Sequence, residues 1–403
     1  MSRRDESRMP LFFALMFVFN MAANSAHPFT PSIIQELHLS DYMFGLALAS
    51  QMLTNVIFSP FWGRLNDFIS SRRTLLICGL GYALGQVFFA LARTELQFVL
   101  ARMFAGVFVG GAYVSFLTYV VNRMDLRSRG RGLAVTATIQ SVSSSFGYFV
   151  GGMLGEVNIF LPVWVQAATL GTSSVLMFLL MADDAREDIR DLRAEEMVKQ
   201  CNPLSAFWQC RRFMTRLMVL LLLMTGLGNL GYVAFDQCFN YYIRDVFGLS
   251  SGYNGVIKAA LGVISLVANS TICIWILKKN DTPRYMVGVM LICTAAMVGV
   301  ILLDSLIPFI LVNVLFLAFY FISTPLSQSM VAQLGEGKDS NLVMGAYNSV
   351  KSLGSIFGSL FAGFIYVINP KLPFVFGFAA FALASVFTVM YWKLDGKQPN
   401  PAA

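Results

Sequence analysis

Long apolar runs make up most of the chain, and short polar stretches separate them. A helix that crosses a membrane needs about 20 mostly apolar residues. The first run resembles a signal peptide, but we count it as a membrane helix because the full set of helices requires it. The pattern predicts an all-α integral membrane protein with twelve transmembrane helices, at roughly 10–30, 43–62, 74–92, 96–121, 132–154, 160–181, 216–243, 252–276, 285–303, 307–330, 342–367 and 372–392.

One long polar stretch, residues 182–216, divides these runs into two sets of six. Two short segments recur across the division, each in corresponding helices of the two sets: 140–144 matches 348–352, and 66–67 matches 280–281. Both spacings are close to half the chain length, which predicts two pseudo-symmetric six-helix bundles. The expected units are 1–181, a cytosolic linker at 182–216, and 217–403.

Positive charge is distributed unevenly between the two predicted sides. If the amino terminus is inside, 23 of the 29 Lys and Arg residues fall in inner segments. Arg93, Arg244 and Lys371 are the outer ones. Cytosolic loops carry the excess of positive charge in membrane proteins. We therefore expect both termini in the cytosol, and we attribute the net charge of +7 to orientation rather than to a nucleic-acid partner.

Composition excludes several other classes of protein. Only 13% of residues are charged, against about a quarter in soluble domains. The six cysteines form no CxxC pattern or Cys/His cluster, so neither a disulfide framework nor a metal site is expected. The sequence shows no phosphate-binding loop and no Ser/His/Asp set. We expect neither an enzyme nor a cofactor.

The loop after the second run carries Gly63, Leu65, Asp67, Arg72 and Leu75. It resembles the signature G-x-L-x-D-R-x-G-R-K-x-x-L of the major facilitator superfamily, and departs from it at positions 68, 70 and 71. The resemblance implies the major facilitator fold and a cytosolic latch formed by Gly63, Asp67 and Arg72. We expect Gly63 to permit a tight turn, and a carboxylate is favoured near helix N-termini. The alternative is a plain solvated turn.

Two further motifs resemble the drug:proton antiporter branch of that superfamily. Arg102 and Gly106 match its fourth-helix pattern R-x-x-x-G. Ser143, Gly147 and the pair at 151–152 resemble its fifth-helix pattern G-x-x-x-G-P-x-x-G-G, with serine and tyrosine in place of the first glycine and the proline. The alternatives are a snorkelling arginine and simple close packing of helices.

Asp236 is the acid that lies well within a predicted helix, and Lys258 and Lys351 are intramembrane cations. Charges inside a membrane are costly and usually functional. We expect Asp236 to carry a proton, paired with Lys258 or Lys351; the alternative is a structural ion pair. Helices 7 and 11 also resemble those of the lactose permease group locally, but that group's acids in helices 4 and 8 are absent.

Polar side chains are sparse in the predicted helices. In the superfamily, several of the helices that carry them line the transport cavity. The resemblance therefore implies that these residues contact substrate, although each could instead form a hydrogen bond between helices. The candidates are Asn20, Asn24, Arg102, Gln140, Asn240, Tyr241, Asn269, Gln328 and Asn348.

These observations predict a monomeric secondary transporter that works by alternating access. Its expected partners are a small-molecule substrate, a proton and the lipid bilayer. We favour proton-coupled export of small amphipathic compounds, because many aromatic and methionine residues suit adaptable binding. One alternative is proton-coupled uptake of a sugar or other small metabolite. Another is a non-transporting membrane receptor or scaffold, which the short outer loops disfavour.

Overall fold

The computed structural model describes residues 9–124, 126–184, 214–279, 281–334 and 340–396, and in these ranges the chain is helical without a strand. Twelve long helical segments follow the twelve apolar runs. They are α1 (Met9–Ser25, extended through His27–Phe29 and Thr30–Glu36), α2 (Met43–Phe68), α3 (Ser71–Leu91), α4 (Glu95–Arg123), α5 (Leu126–Val157), α6 (Leu161–Leu180), α7 (Arg216–Asp245), α8 (Ser251–Ala268, extended through Asn269–Cys273 and Ile274–Leu277), α9 (Thr282–Leu302), α10 (Leu306–Leu334), α11 (Ser340–Tyr366) and α12 (Leu372–Asp395).

Local chemistry sets several helix ends. The Thr94 side chain accepts a hydrogen bond from Gln97 N and so caps α4, and Thr215 caps α7 in the same way through Met218 N. Side-chain oxygens at this position satisfy amide groups that have no partner within the helix. In α1, Pro28 removes a backbone donor, and the helix passes through one 3-10 turn there before it continues.

Ten of the twelve segments are long and apolar enough to cross a membrane, by the composition of the described residues. The other two, α5 and α11, are long but rich in serine and glycine. Large apolar side chains are exposed along many helices, for example Leu96, Leu179 and Ile307 at 65–72% exposure. A soluble protein rarely leaves so much apolar surface in water, whereas a bilayer accommodates it.

The described residues form two compact units. Among these residues, unit 1 contains those up to 184 and 248–262, and unit 2 contains 214–247 and 263–396. Aromatic side chains fill both cores. In unit 1, Phe19 and Phe116 meet with ring centroids 5.2 Å apart. In unit 2, Phe235 packs against Phe316 at 4.5 Å.

Unit 1 holds α1 and α5 in very close contact through two glycines spaced four residues apart. A Cβ atom built on Gly147 would lie 2.3 Å from the Met21 carbonyl oxygen, and one on Gly151 would lie 1.8 Å from the Ser25 carbonyl oxygen. No side chain fits at those distances. Small residues therefore allow the two backbones to approach each other.

Unit 2 repeats this contact between α7 and α11. A Cβ atom on Gly354 would lie 2.5 Å from the Gly226 carbonyl oxygen, and one on Gly358 would lie 2.3 Å from the Leu230 carbonyl oxygen. The spacing of four residues on each helix is the same as in unit 1. The fifth and eleventh helices thus pack on the first and seventh in the same way, which agrees with the internal repeat read from the sequence.

Candidate functional site

The crossing of α7 and α11 places an asparagine at the centre of a hydrogen-bonded group in unit 2. Asn229 Nδ2 donates to the carbonyl oxygen of Lys351 at 2.6 Å and to Ser355 Oγ. The Tyr320 hydroxyl of α10 donates to Asn229 Oδ1 at 3.2 Å. Asn229 is buried, and these bonds occupy both ends of its amide. It therefore fixes α7, α10 and α11 relative to one another.

Tyr320 is held by stacking as well as by its hydroxyl. Its ring lies 4.0 Å from that of Tyr232, with only 10° between the two planes. Aromatic pairs of this kind contribute about 0.5–1.5 kcal/mol beyond burial of area. One wall of the site is thus rigid.

A narrow cavity of about 20 Å³ adjoins this group. A space of this size holds about one water molecule or one small polar group, and it is much smaller than a pocket for a whole ligand. Met224, Met290 and Gly228 form its apolar lining. The polar lining comes from α7, α10 and α11, and it includes Thr225, Asn229, Tyr320, Ser327, Tyr347 and Lys351.

Charge in this cavity is one-sided. Lys351 is the cation that lines it, and no acid is among the described residues that do so. Lys351 is partly buried and forms no salt bridge with an acid in the described ranges. The Thr225 hydroxyl is buried without a hydrogen-bond partner there. The cavity therefore presents positive charge and an unused hydroxyl.

The predicted residues of α7 lie farther along the same helix. Asp236 is seven residues after Asn229, about two turns and ~10 Å along the axis, and it is 9% exposed. Asn240 is buried, and its Oδ1 has no hydrogen-bond partner among the described residues. Tyr241 packs edge-on against Tyr366 at 5.1 Å. Asn229, Asp236 and Asn240 thus place polar groups on the buried side of α7; a role of Asp236 in proton coupling remains a prediction.

Arg102 lies deep inside unit 1. It is 4% exposed, so it does not snorkel to the surface. Its guanidinium donates to Gln51 Oε1 and Thr30 Oγ1, each at 3.3 Å. The Cζ atom of Arg102 lies 3.7 Å from the centroid of the Phe89 ring. Two neutral oxygens and an aromatic face thus surround the charge.

Lys258 also belongs to unit 1. Its Nζ lies 5.7 Å from the centroid of the Tyr148 ring, and His27 stacks on the same ring at 5.9 Å. The choice between Lys258 and Lys351 as the partner of Asp236 remains a prediction.

The remaining candidates have mixed environments. Asn20 and Asn24 each donate to the backbone carbonyl four residues earlier in α1, at 2.8 Å. Asn269 begins the π-helical segment of α8, a feature frequent at functional sites. Gln140 is partly buried, whereas Gln328 and Asn348 are exposed. Contact of these side chains with substrate remains a prediction.

The loop motif is only partly described. The expected tight turn at Gly63 is wrong, because α2 continues through it to Phe68. The Asp67 side chain lies outside the described part of the structure. Arg72 Nη2 forms a salt bridge of 2.8 Å with Asp183, just after α6. Asp184 accepts hydrogen bonds from the Ser71 amide and hydroxyl at 2.7 and 2.6 Å.

Sequence reasoning missed Asn229, Tyr320 and Gln51. Asn229 and Gln51 could have been found in the same way as Asn20, because each is an amide side chain in an otherwise apolar run. Tyr320 gave no such signal, because tyrosines are common in this chain. Its importance comes from its position opposite Asn229.

Comparison with known proteins decides the family. The sequence model of the Major Facilitator Superfamily matches residues 12–323. The chain belongs to the major facilitator superfamily. The predicted family and fold class are therefore confirmed. Membership makes the chain a multi-pass plasma-membrane protein that transports small molecules, and a transporter rather than an enzyme.

Two relatives align along nearly the whole chain. Multidrug resistance protein 1 of Bacillus subtilis (strain 168) is 20% identical over 378 residues, 94% of both chains. Multidrug resistance protein 2 of the same strain is 22% identical over 410 residues, covering 100% of this chain and 99% of the relative.

A solved major facilitator structure shares the fold at low identity. It is a bacterial homologue of the human lysosomal transporter Spinster, in its inward-facing and unoccupied conformation. It superposes with a TM-score of 0.82 at 14% identity and covers 100% of both chains.

Proposed function

We propose that this transporter exports small amphipathic compounds by alternating access, driven by proton entry. The observation that carries the proposal is the similarity of the whole chain to two multidrug resistance proteins. The motifs around Arg102 and Gly147 support the same branch of the superfamily. On this proposal the transporter is a monomer with both termini in the cytosol.

The chemistry of the interior supports an amphipathic substrate. Methionines line the cavity of unit 2, and a stacked tyrosine pair borders it. Methionine adapts its shape to different ligands. A few hydroxyl and amide groups beside such side chains suit molecules with one polar end.

Asp236 is our candidate for the proton carrier. It is an acid buried within a membrane helix. Acidic residues within membrane helices recur in the proton relays of pumps and transporters. On this proposal, Asp236 takes up and releases a proton during the transport cycle.

The test is transport in sealed proteoliposomes with an imposed pH gradient, using a chemically diverse panel of fluorescent amphipathic compounds and radiolabelled sugars. We expect gradient-driven movement of amphipathic compounds in the direction opposite to the proton. Sugar movement together with the proton would support the uptake alternative. Absence of transport for every compound would support a receptor or scaffold.

The coupling role is tested with Asp236→Asn. We expect loss of gradient-driven transport with retention of substrate exchange. Asp304→Asn is the matched control, because Asp304 is exposed and pairs with Lys371. Normal coupling in Asp236→Asn would discard the role. Loss of expression or thermal stability would indicate a structural one.

A further inference from the structure

The cavity of unit 2 carries a positive charge that no acid of its described lining balances. Lys351 supplies a positive charge, and no acid among the described residues lines the space or forms a salt bridge with this lysine. A partly buried charge is costly unless a partner compensates it. An anionic group in the cavity would provide that compensation.

A second observation points to the same ligand. Thr225 Oγ1 is buried, lines the cavity and has no hydrogen-bond partner among the described residues. A buried hydroxyl without a partner costs free energy. Tyr347 also lines the cavity and carries a second hydroxyl. Both hydroxyls are able to donate to an oxygen acceptor.

Asn229 does not compete for this role. Its amide nitrogen and oxygen already bond Lys351 O, Ser355 Oγ and the Tyr320 hydroxyl. It acts as a positioning residue: it holds the backbone of Lys351 in place and leaves the lysine's ammonium outside these bonds. The glycine crossing of α7 and α11 at Gly354 makes this approach possible.

We propose that this cavity binds the carboxylate end of an anionic amphipathic substrate, with Lys351 as its charge partner and Thr225 and Tyr347 as hydroxyl donors. The inference rests on the proposed export function and names its substrate class. The cavity of about 20 Å³ admits one small polar group, such as the carboxylate, so the carbon chain of the substrate would lie beyond it.

The test measures binding of three probes that share one carbon skeleton. They are 4-phenylbutyrate, its neutral amide 4-phenylbutyramide, and the cationic 4-phenylbutylamine. Binding to the purified full-length transporter in lipid nanodiscs is measured by calorimetry, without a gradient. We expect the carboxylate to bind at least tenfold more tightly than the amide, and the amine to bind most weakly.

Variants assign this preference to the cavity. Lys351→Gln should abolish the difference between carboxylate and amide, and Lys351→Arg should retain most of it. Lys279→Gln removes an exposed lysine of unit 2 and should leave it unchanged. Thr225→Val keeps the shape of the side chain and should weaken carboxylate binding several-fold. Thermal unfolding of each variant checks folding, and Thr225→Val decides the matter if Lys351→Gln does not fold.

Several results would overturn the inference. They are equal binding of all three probes, no detectable binding of any of the three, or a carboxylate preference that persists in Lys351→Gln. Acetate that competes as well as 4-phenylbutyrate would indicate a site for small anions instead. Because no gradient is present, these results are independent of transport. If the transporter prefers the carboxylate probe but moves no compound in proteoliposomes, the proposed function is refuted and the anion-binding site is still supported.

Discussion

Asn229 and Lys351 are joined through the lysine's backbone: the amide nitrogen of Asn229 lies 2.6 Å from the carbonyl oxygen of Lys351. The ammonium takes no part in this bond. The backbone and the side chain of Lys351 therefore have separate roles. Its backbone secures α11 against α7, and its side chain remains available for ligand chemistry.

The first prediction concerns coupling between Asn229 and Tyr320. Asn229→Ala should destabilise unit 2, because it removes three hydrogen bonds and leaves the Tyr320 hydroxyl buried without its acceptor. Hydrogen bonds between membrane helices contribute about 0.6 kcal/mol on average and up to ~2. Tyr320→Phe should cost less. In the double variant the losses should be less than additive, as for residues in contact.

Thermal unfolding in nanodiscs measures each term of this cycle. Asn313→Ala is a suitable control, since among the described residues Asn313 donates only to the backbone of its own helix, at Phe309 O. Fully additive losses for Asn229 and Tyr320 would contradict the arrangement described above.

The second prediction contrasts two glycines. A Cβ atom on Gly354 meets the backbone of α7 at 2.5 Å, so Gly354→Ala must push two helices apart. Overpacking of this kind costs roughly 1–3 kcal/mol. A Cβ atom on Gly63 meets only a Val114 methyl at 3.6 Å. Gly63→Ala should be neutral or should stabilise α2 by up to ~1 kcal/mol. Equal unfolding midpoints for the two variants would be inconsistent with this packing.

The third prediction concerns the residues that follow α6. Asp184 is buried and accepts two hydrogen bonds from Ser71 and one of 3.1 Å from Asn122. Asp184→Ala should cost about 1.5–3 kcal/mol, because it leaves the N-terminus of α3 uncapped. Asp183→Ala removes a more exposed ion pair with Arg72 and should cost less than ~1 kcal/mol. A larger loss of stability in Asp183→Ala than in Asp184→Ala would refute the capping role of Asp184.

The fourth prediction concerns the proposed latch. Asp67→Asn should slow turnover while insertion and folding remain normal. A shift of ~1.4 kcal/mol in a conformational equilibrium changes the ratio of states about tenfold. The measurement is the rate of transport in proteoliposomes at matched protein content. Wild-type rates in this variant would leave Asp67 with no role beyond the loop itself.

The fifth prediction concerns orientation. Single cysteines at positions 93 and 371, in a cysteine-free background, should react with an impermeant maleimide added outside intact cells. A cysteine at position 279 should react only after the membrane is opened. Labelling of position 279 from outside would invert the proposed topology.

The fold could be read from the sequence because membrane helices obey a strong rule. Apolar length predicts their number, and all twelve segments appear in the described residues with ends no more than six residues from their expected positions. Gly63 shows where such reasoning fails. The sequence marks it as a turn, but a single glycine inside a helix costs only about 1 kcal/mol, so α2 continues for five more residues.

The site was harder to predict. Asp236 and Lys351 could be found because a charge in an apolar run is rare. Asn229 and Tyr320 could not be ranked, because their importance depends on which helices cross and at what height. Gln328 and Asn348 also carry polar groups in apolar runs, and both are exposed; their contact with substrate remains a prediction. Sequence gives the residue type but not the direction in which it points.

The bonds between Asp184 and Ser71 also determine when the N-terminus of α3 can be capped during synthesis. Asp184 follows the end of α6 by four residues, whereas Ser71 begins α3. The ribosome must therefore release the sixth helix and the residues after it before α3 receives its cap. A nascent chain stalled within α6 would hold five complete helices, an incomplete sixth and an uncapped N-terminus of α3. Closure of that terminus is a late folding event, set by chain order and not by the hydrophobicity of any helix.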